Sequence, residues 1–138
     1  FALYSSSVDA VVTLDGFTIS PALDRAGKTE LLSAFYSYPK LRANAYINWS
    51  SGNHNLRWTT HYKEGTGNLV GPSILKTDDE VTSDLVYQGL LPWDTTVTLG
   101  VINIFDKDPP FTRSQYNYDY TNAYFLGRTF QFGVRKKF

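Results

Sequence analysis

Three aspartates near the end of the chain, Asp106, Asp108 and Asp119, are of a type that could hold a cation. Calcium takes about six to eight oxygen ligands, and clustered carboxylates suit it. The spacing argues otherwise. The stretch DKDPPFTRSQYN lacks the central glycine and closing glutamate of an EF-hand loop. Asp106 and Asp108 are expected to cap a turn ahead of Pro109 and Pro110 instead. His54 and His61 are the other metal-ligating types. On an extended strand their odd separation puts them on opposite faces, about 23 Å apart, so they cannot share an ion. Asp78, Asp79 and Glu80 are adjacent carboxylates, but no positioned acid or base partner accompanies them, and a solvated charged loop is expected. With no Ser/His/Asp order, phosphate cradle or metal signature, neither catalysis, a metal nor a cofactor is expected.

The stretch TRSQYNYDYTNAY carries recognition chemistry rather than catalysis. Tyr and Asn make adaptable contacts at modest entropic cost. Arg113, Tyr116, Tyr118, Tyr120 and Tyr124 are therefore the candidate solute contacts, the alternative being a loop packed on itself. Sugars, aromatic siderophores and peptides all suit such a surface.

The elements that position these residues are strands. Helical periodicity is weak, with only residues 28–35 able to form a turn or two. Two-residue alternation is strong. Leu41, Ala43, Ala45, Ile47 and Trp49 share one face, with Arg42, Asn44 and Asn48 opposite. After the turn residues Ser50, Ser51, Gly52 and Asn53, Leu56, Trp58, Thr60 and Tyr62 alternate with Asn55, Arg57, Thr59 and His61. Val81, Ser83, Leu85 and Tyr87 begin a second hairpin, which turns at Pro92, Trp93 and Asp94 into Thr95, Val97, Leu99 and Val101. Leu126, Phe130, Phe132, Val134 and Phe138 line a last strand, and Val8, Ala10, Val12 and Leu14 a less regular first one. About six strands of about ten residues result. Short turns alternate with long connections over 21–39, 64–79 and 105–123.

Composition narrows the partners. The chain has 138 residues, 13 basic and 13 acidic, so clustered positive charge for nucleic acid is lacking. Without cysteine there is no disulfide. No apolar run approaches the about 18 residues of a membrane helix. The start at Phe1 and the lack of a leader suggest a processed or truncated product. Ten Tyr, nine Phe and three Trp make rings abundant, and many of them carry a polar end.

A soluble β-sandwich would pack the apolar faces inward. Soluble strands average about five or six residues, whereas about ten tilted residues cross a bilayer. Short turns at one end and long loops at the other also fit an outer-membrane barrel, as do polar reverse faces. Trp49 and Trp93 fall at short-turn ends, and Tyr62, Phe105 and Tyr124 at long-loop ends, as two interfacial girdles would require. About eight strands is the fewest that close such a barrel. Six therefore need further strands of the same barrel. Inward-facing Arg42, Arg57 and Arg135 either attract anions or pair with carboxylates inside the lumen.

Two stretches carry a resemblance. NIFDKDPPF, with Asn103, Ile104, Phe105 and Asp106, precedes YDYTNAYFLGRTFQFGVRKKF, with Tyr118, Asp119, Gly127, Arg128 and Phe138. Together they resemble the C-terminal end of TonB-dependent outer-membrane receptors. YPKLRANAYINWSSGNHNLRWTTHY resembles an upstream hairpin of that family. The resemblance implies an all-β, antiparallel transmembrane β-barrel segment: about the last six strands of a larger up-and-down barrel, 22-stranded in the family. Residues 1–138 would be the C-terminal portion, with the plug domain absent. It further implies a bacterial outer-membrane location and TonB-energised import of a scarce solute such as a siderophore, vitamin, oligosaccharide or peptide. Implied partners are the remaining N-terminal strands and plug, TonB through that plug, outer-membrane lipid and the barrel-assembly machinery. That machinery would read Phe138 and Gly133 as an insertion signal; Lys136 stands where the signal often carries an apolar residue. The competing expectations are a soluble carbohydrate-binding sandwich and a passive porin.

Overall fold

The computed structural model describes residues 12–14, 17–20, 27–30, 36–68, 76–112 and 116–137. Every regular element among them is a β-strand. Alternation at a period of two builds the main sheet, because only an extended chain sends successive side chains to opposite faces. Its strands are β5 (Arg42–Ser51), β6 (His54–Lys63), β8 (Glu80–Leu91), β9 (Thr95–Ile102) and β10 (Thr129–Lys136). They run β10-β9-β8-β6-β5, each antiparallel to its neighbour, as an up-and-down meander.

Two tight turns set the register. Gly52 takes a φ of 53°, which is cheap for glycine alone, between the paired residues Ser51 and His54. The second turn forces Trp93 and Asp94 to φ of 62° and 52°. For Trp93 that is a costly conformation, and its side chain is 83% exposed. The chain on either side holds it: Leu91 pairs with Thr95, and Lys137 N–H donates to Asp94 O at 3.1 Å.

The register aligns apolar residues into rows across all five strands. One row reads Ile47, Trp58, Leu85, Val101, Phe130; the next reads Trp49, Leu56, Tyr87, Leu99, Phe132. The reverse face carries Asn48, Arg57, Val86, Gly100 and Gln131, and nearer the loops Asn44, His61 and Thr82. Among the described strands, contacts join hydrogen-bonded neighbours only, so none of them packs as a second sheet on either face. Ile47, Phe130 and Phe132 are each about three-quarters exposed.

The small strands differ from expectation. β1 (Val12–Leu14), the described part of the expected first strand, pairs with the unexpected β2 (Phe17–Ser20); residues 8–11 lie outside the described set. The turn of helix expected over 28–35 is replaced by β3 (Lys28–Glu30), paired antiparallel with β4 (Tyr36–Tyr38) and parallel with β7 (Gly67–Asn68). Residues 31–35 fall outside the description. Three-residue strands carry no periodicity of their own, so pairing with distant chain overrides local propensity there. Leu126, expected within the last strand, precedes it.

Candidate functional site

The site begins where β9 ends. Asn103 takes a φ of 52°, within the left-handed region that Asn tolerates, and is fully buried. Its amide nitrogen donates to Lys107 O at 2.9 Å, and its amide oxygen accepts from Lys107 N–H at 3.0 Å. Its own N–H donates to Asp84 Oδ1 at 2.9 Å. Asp106, at a φ of 54°, then turns its carboxylate across the loop, where Oδ1 accepts Arg128 N–H at 2.7 Å. The Arg128 guanidinium lies 3.9 Å from Oδ2. Gly127 takes a φ of 66°, and a Cβ there would sit 3.2 Å from Asp106 Oδ1. Asp106 therefore clasps the two ends of the loop; the expected cap ahead of Pro109 and Pro110 is not the bond it makes.

From this clasp the loop crosses the polar face. Thr112 N–H donates to Asn117 O at 2.9 Å, and the hydroxyls of Thr77 and Thr112 lie 3.1 Å apart. Buried Asp119 organises the next turn, accepting from the Thr121 hydroxyl at 2.6 Å and from the Thr121 and Asn122 N–H groups at 3.1 Å. That turn aims Asn122 at the opposite edge of the sheet. Asn122 Nδ2 donates to Ser37 O at 3.0 Å, and Arg42 donates to Asn122 Oδ1. Tyr124 N–H donates to Glu80 Oε1 at 3.2 Å. The loop is thus a strap tied down on β4, β5 and β8.

Between strap and sheet lies a cleft of about 420 Å³, floored by Arg42, Asn44, His61, Lys63, Glu80 and Asp84, with Asn122 and Tyr124 above. Its charges are mostly paired. Lys63 Nζ lies 2.5 Å from Glu80 Oε2, with both side chains nearly buried. The contact is an ion pair without hydrogen-bond alignment, and Oε2 has no hydrogen-bond partner among the described residues. His61 Nε2 meets Asp84 Oδ2 at 2.9 Å, and its Nδ1 meets Asn44 Oδ1 at 2.9 Å. The expected solvated loop holds for Asp78 and Asp79, which are both exposed, and is corrected for Glu80. Glu80 is the first residue of β8, and Asp79 accepts Gly65 N–H at 2.8 Å and the Tyr62 hydroxyl at 2.8 Å. The Gly65 bond, followed by the Tyr62 bond, holds the Asp79 carboxyl below the usual carboxylate range.

The described candidate contacts fall in two places. Tyr116, Tyr118 and Phe125 with Tyr120 form a separate aromatic cluster, with Tyr116 edge-on to Tyr120 at 5.2 Å and Tyr118 against Phe125 at 5.8 Å. Tyr116 and Tyr120 are exposed, while Tyr118 is half-buried. Tyr124 lines the cleft instead, its hydroxyl donating to Thr129 Oγ1 at 2.9 Å. Arg113 and Phe138 lie outside the described residues. Of the girdle candidates, Trp49 and Trp93 are exposed near the short turns, and Tyr62 sits at the loop end. Phe105 folds back over the apolar face onto Trp58, with ring centroids 5.8 Å apart. Gly133 sits opposite Thr98, where an added Cβ would meet only an ordinary 3.8 Å contact. His54 bonds the Tyr87 hydroxyl at 2.7 Å on the apolar face, opposite to His61. No group of three His, Asp or Glu among the described residues is placed to hold a metal.

Sequence reasoning missed Asn103, Asn122, Lys63 and Asp84. Each acts through a partner 17 or more residues away, apart from Asn103's own bridge to Lys107. The only local signal was Asn103 and Asp106 themselves, residue types that accept positive φ. Compared with known proteins, the chain matches no family model, no curated protein and no solved structure.

Proposed function

We propose that the chain is a run of transmembrane strands from the wall of a TonB-dependent outer-membrane receptor, and that it performs no chemistry. The observation that carries this reading is the five-stranded sheet with one aromatic and aliphatic face on which, among the described strands, no second sheet packs. Ile47, Trp49, Leu99, Phe130, Phe132 and Val134 all stand out from it. Burying such side chains is favourable by about 1.5–3 kcal/mol each, so water is a poor solvent for the whole row and hydrocarbon a good one. The reverse face, rich in Asn, Arg, His and Thr, suits a wet lumen.

The edges support the same reading. Within the described sheet β5 and β10 are each paired on one side only. In lipid an open edge costs several kcal/mol per unpaired backbone group, so both edges take up further strands of the same barrel. The partners are then those strands, the plug and, through it, TonB. The strap and its aromatic cluster stand on the solute side. A carbohydrate-binding sandwich would need a second sheet over the apolar rows, and none lies there among the described strands.

The test is partition. The full-length protein is expected to float with membranes after alkaline carbonate washing and to need detergent for extraction. Brominated lipids are expected to quench the Trp49 and Trp58 fluorescence. A monodisperse protein in plain buffer, with both tryptophans unquenched, would refute the reading.

A further inference from the structure

We propose that the cleft beneath the strap is a binding site for the anionic group, carboxylate or phosphate, of a small solute, with Arg42 as its recognition point. The proposal rests on the reading that the polar face meets water inside a barrel, and it adds the class of solute. Five basic or acidic side chains face the cleft, Arg42, His61, Lys63, Glu80 and Asp84, beside the phenols of Tyr62 and Tyr124. Both carboxylates are taken. Glu80 is engaged by Lys63 and by Tyr124 N–H, and Asp84 by His61 and by Asn103 N–H. Arg42 alone is left facing a neutral acceptor, the Asn122 amide oxygen, with no carboxylate beside it among the described residues.

That arrangement favours exchange. A guanidinium bond to an ionised oxygen is about twice as strong as one to a neutral oxygen, and its planar fork takes two oxygens at once. The Asn122 oxygen occupies the place of one of them. An arriving carboxylate or phosphate displaces it, and Asn122 retains its bond to Ser37 O. Asn44, whose oxygen is engaged by His61, leaves its amide nitrogen as a further donor at the wall. The cleft's volume of about 420 Å³ lies in the range of small-molecule sites, roughly 300–1,000 Å³.

The test is calorimetric titration of the detergent-purified full-length protein with sodium succinate and with inorganic phosphate. Dimethyl succinate serves as the uncharged twin. An anion is expected to bind with a dissociation constant on the order of 1 mM or tighter. The ester is expected to bind at least about tenfold more weakly. Arg42→Gln is expected to weaken the anion by about tenfold or more, and Arg42→Lys by less, because it keeps the charge and loses the fork. Arg57→Gln, on the same face but outside the cleft, is expected to change nothing. Asn122→Ala is expected to tighten the anion several-fold, since no amide has to be displaced; a purely structural Arg42 would give no such gain. The proposal fails if acid and ester bind alike, if Arg42→Gln has no effect, or if neither anion binds. A protein that stays soluble without detergent would instead sink the membrane reading, whatever the titration shows.

Discussion

Phe132→Arg separates a lipid-facing sheet from a water-facing one more sharply than any other single change. Phe132 is the middle of β10, opposite Leu99 in a row that also holds Tyr87, Leu56 and Trp49. About three-quarters of the side chain stands clear of the protein, so replacing it removes little protein contact. If that exposed part met water, arginine would be nearly neutral, within about 0.5 kcal/mol as for ordinary surface changes. If it meets hydrocarbon, the change removes a ring whose burial is worth about 1.5–3 kcal/mol and adds an arginine costing roughly 2–4 kcal/mol near the bilayer centre. Together they make a loss of roughly 3–7 kcal/mol, smaller if the residue sits towards an interface. Gln131→Arg is the control. Gln131 is the adjacent residue on the reverse face, opposite Gly100, and arginine there joins a polar row that already contains Arg57. Equilibrium urea unfolding of the protein in phosphatidylcholine vesicles, followed by tryptophan fluorescence, measures both variants. A loss at Phe132 of several kcal/mol with less than about 1 kcal/mol at Gln131 is the expected result. Equal losses, or two neutral variants, would refute the assignment of faces.

Other outcomes follow from the strap. Asn103→Ala removes both part-buried bonds to the Lys107 N–H and carbonyl, and is expected to cost about 1–3 kcal/mol in the same unfolding assay. Asp106→Ala is expected to speed exchange of the Arg128 amide proton by about tenfold or more, while Asp106→Asn, which keeps an acceptor oxygen, has a smaller effect. Gly127→Val, at positive φ and against Asp106, is expected to cost about 1–3 kcal/mol through backbone strain. Asp79 supplies a pH dependence. Its folded carboxyl titrates below the ordinary carboxylate value, so its stabilising effect is complete above that value and vanishes as pH falls through the folded one. The Gly65 amide shift is expected to move across that acid window and to lose the titration in Asp79→Ala.

The two hairpins and the last strand were legible because alternation is a local property. Ile47 and Trp49, or Phe130 and Phe132, declare their shared face without reference to any other strand. Gly52 and Asn53 mark their turn for the same local reason. An all-β chain with one apolar face and one polar face therefore follows from residue order alone. The strap does not. Arg42 and Asn122 stand 80 positions apart and meet only because Asp119 bends the loop back over the sheet. Asp106 is drawn to Arg128 rather than to the prolines beside it because positive φ at Asn103 and Asp106 turns the chain that way. Glu80 reads as one of three solvated acids until the register sets it against Lys63. Periodicity encodes which way a side chain points, whereas its partner depends on where the rest of the chain returns, and tertiary pairing alone decides that.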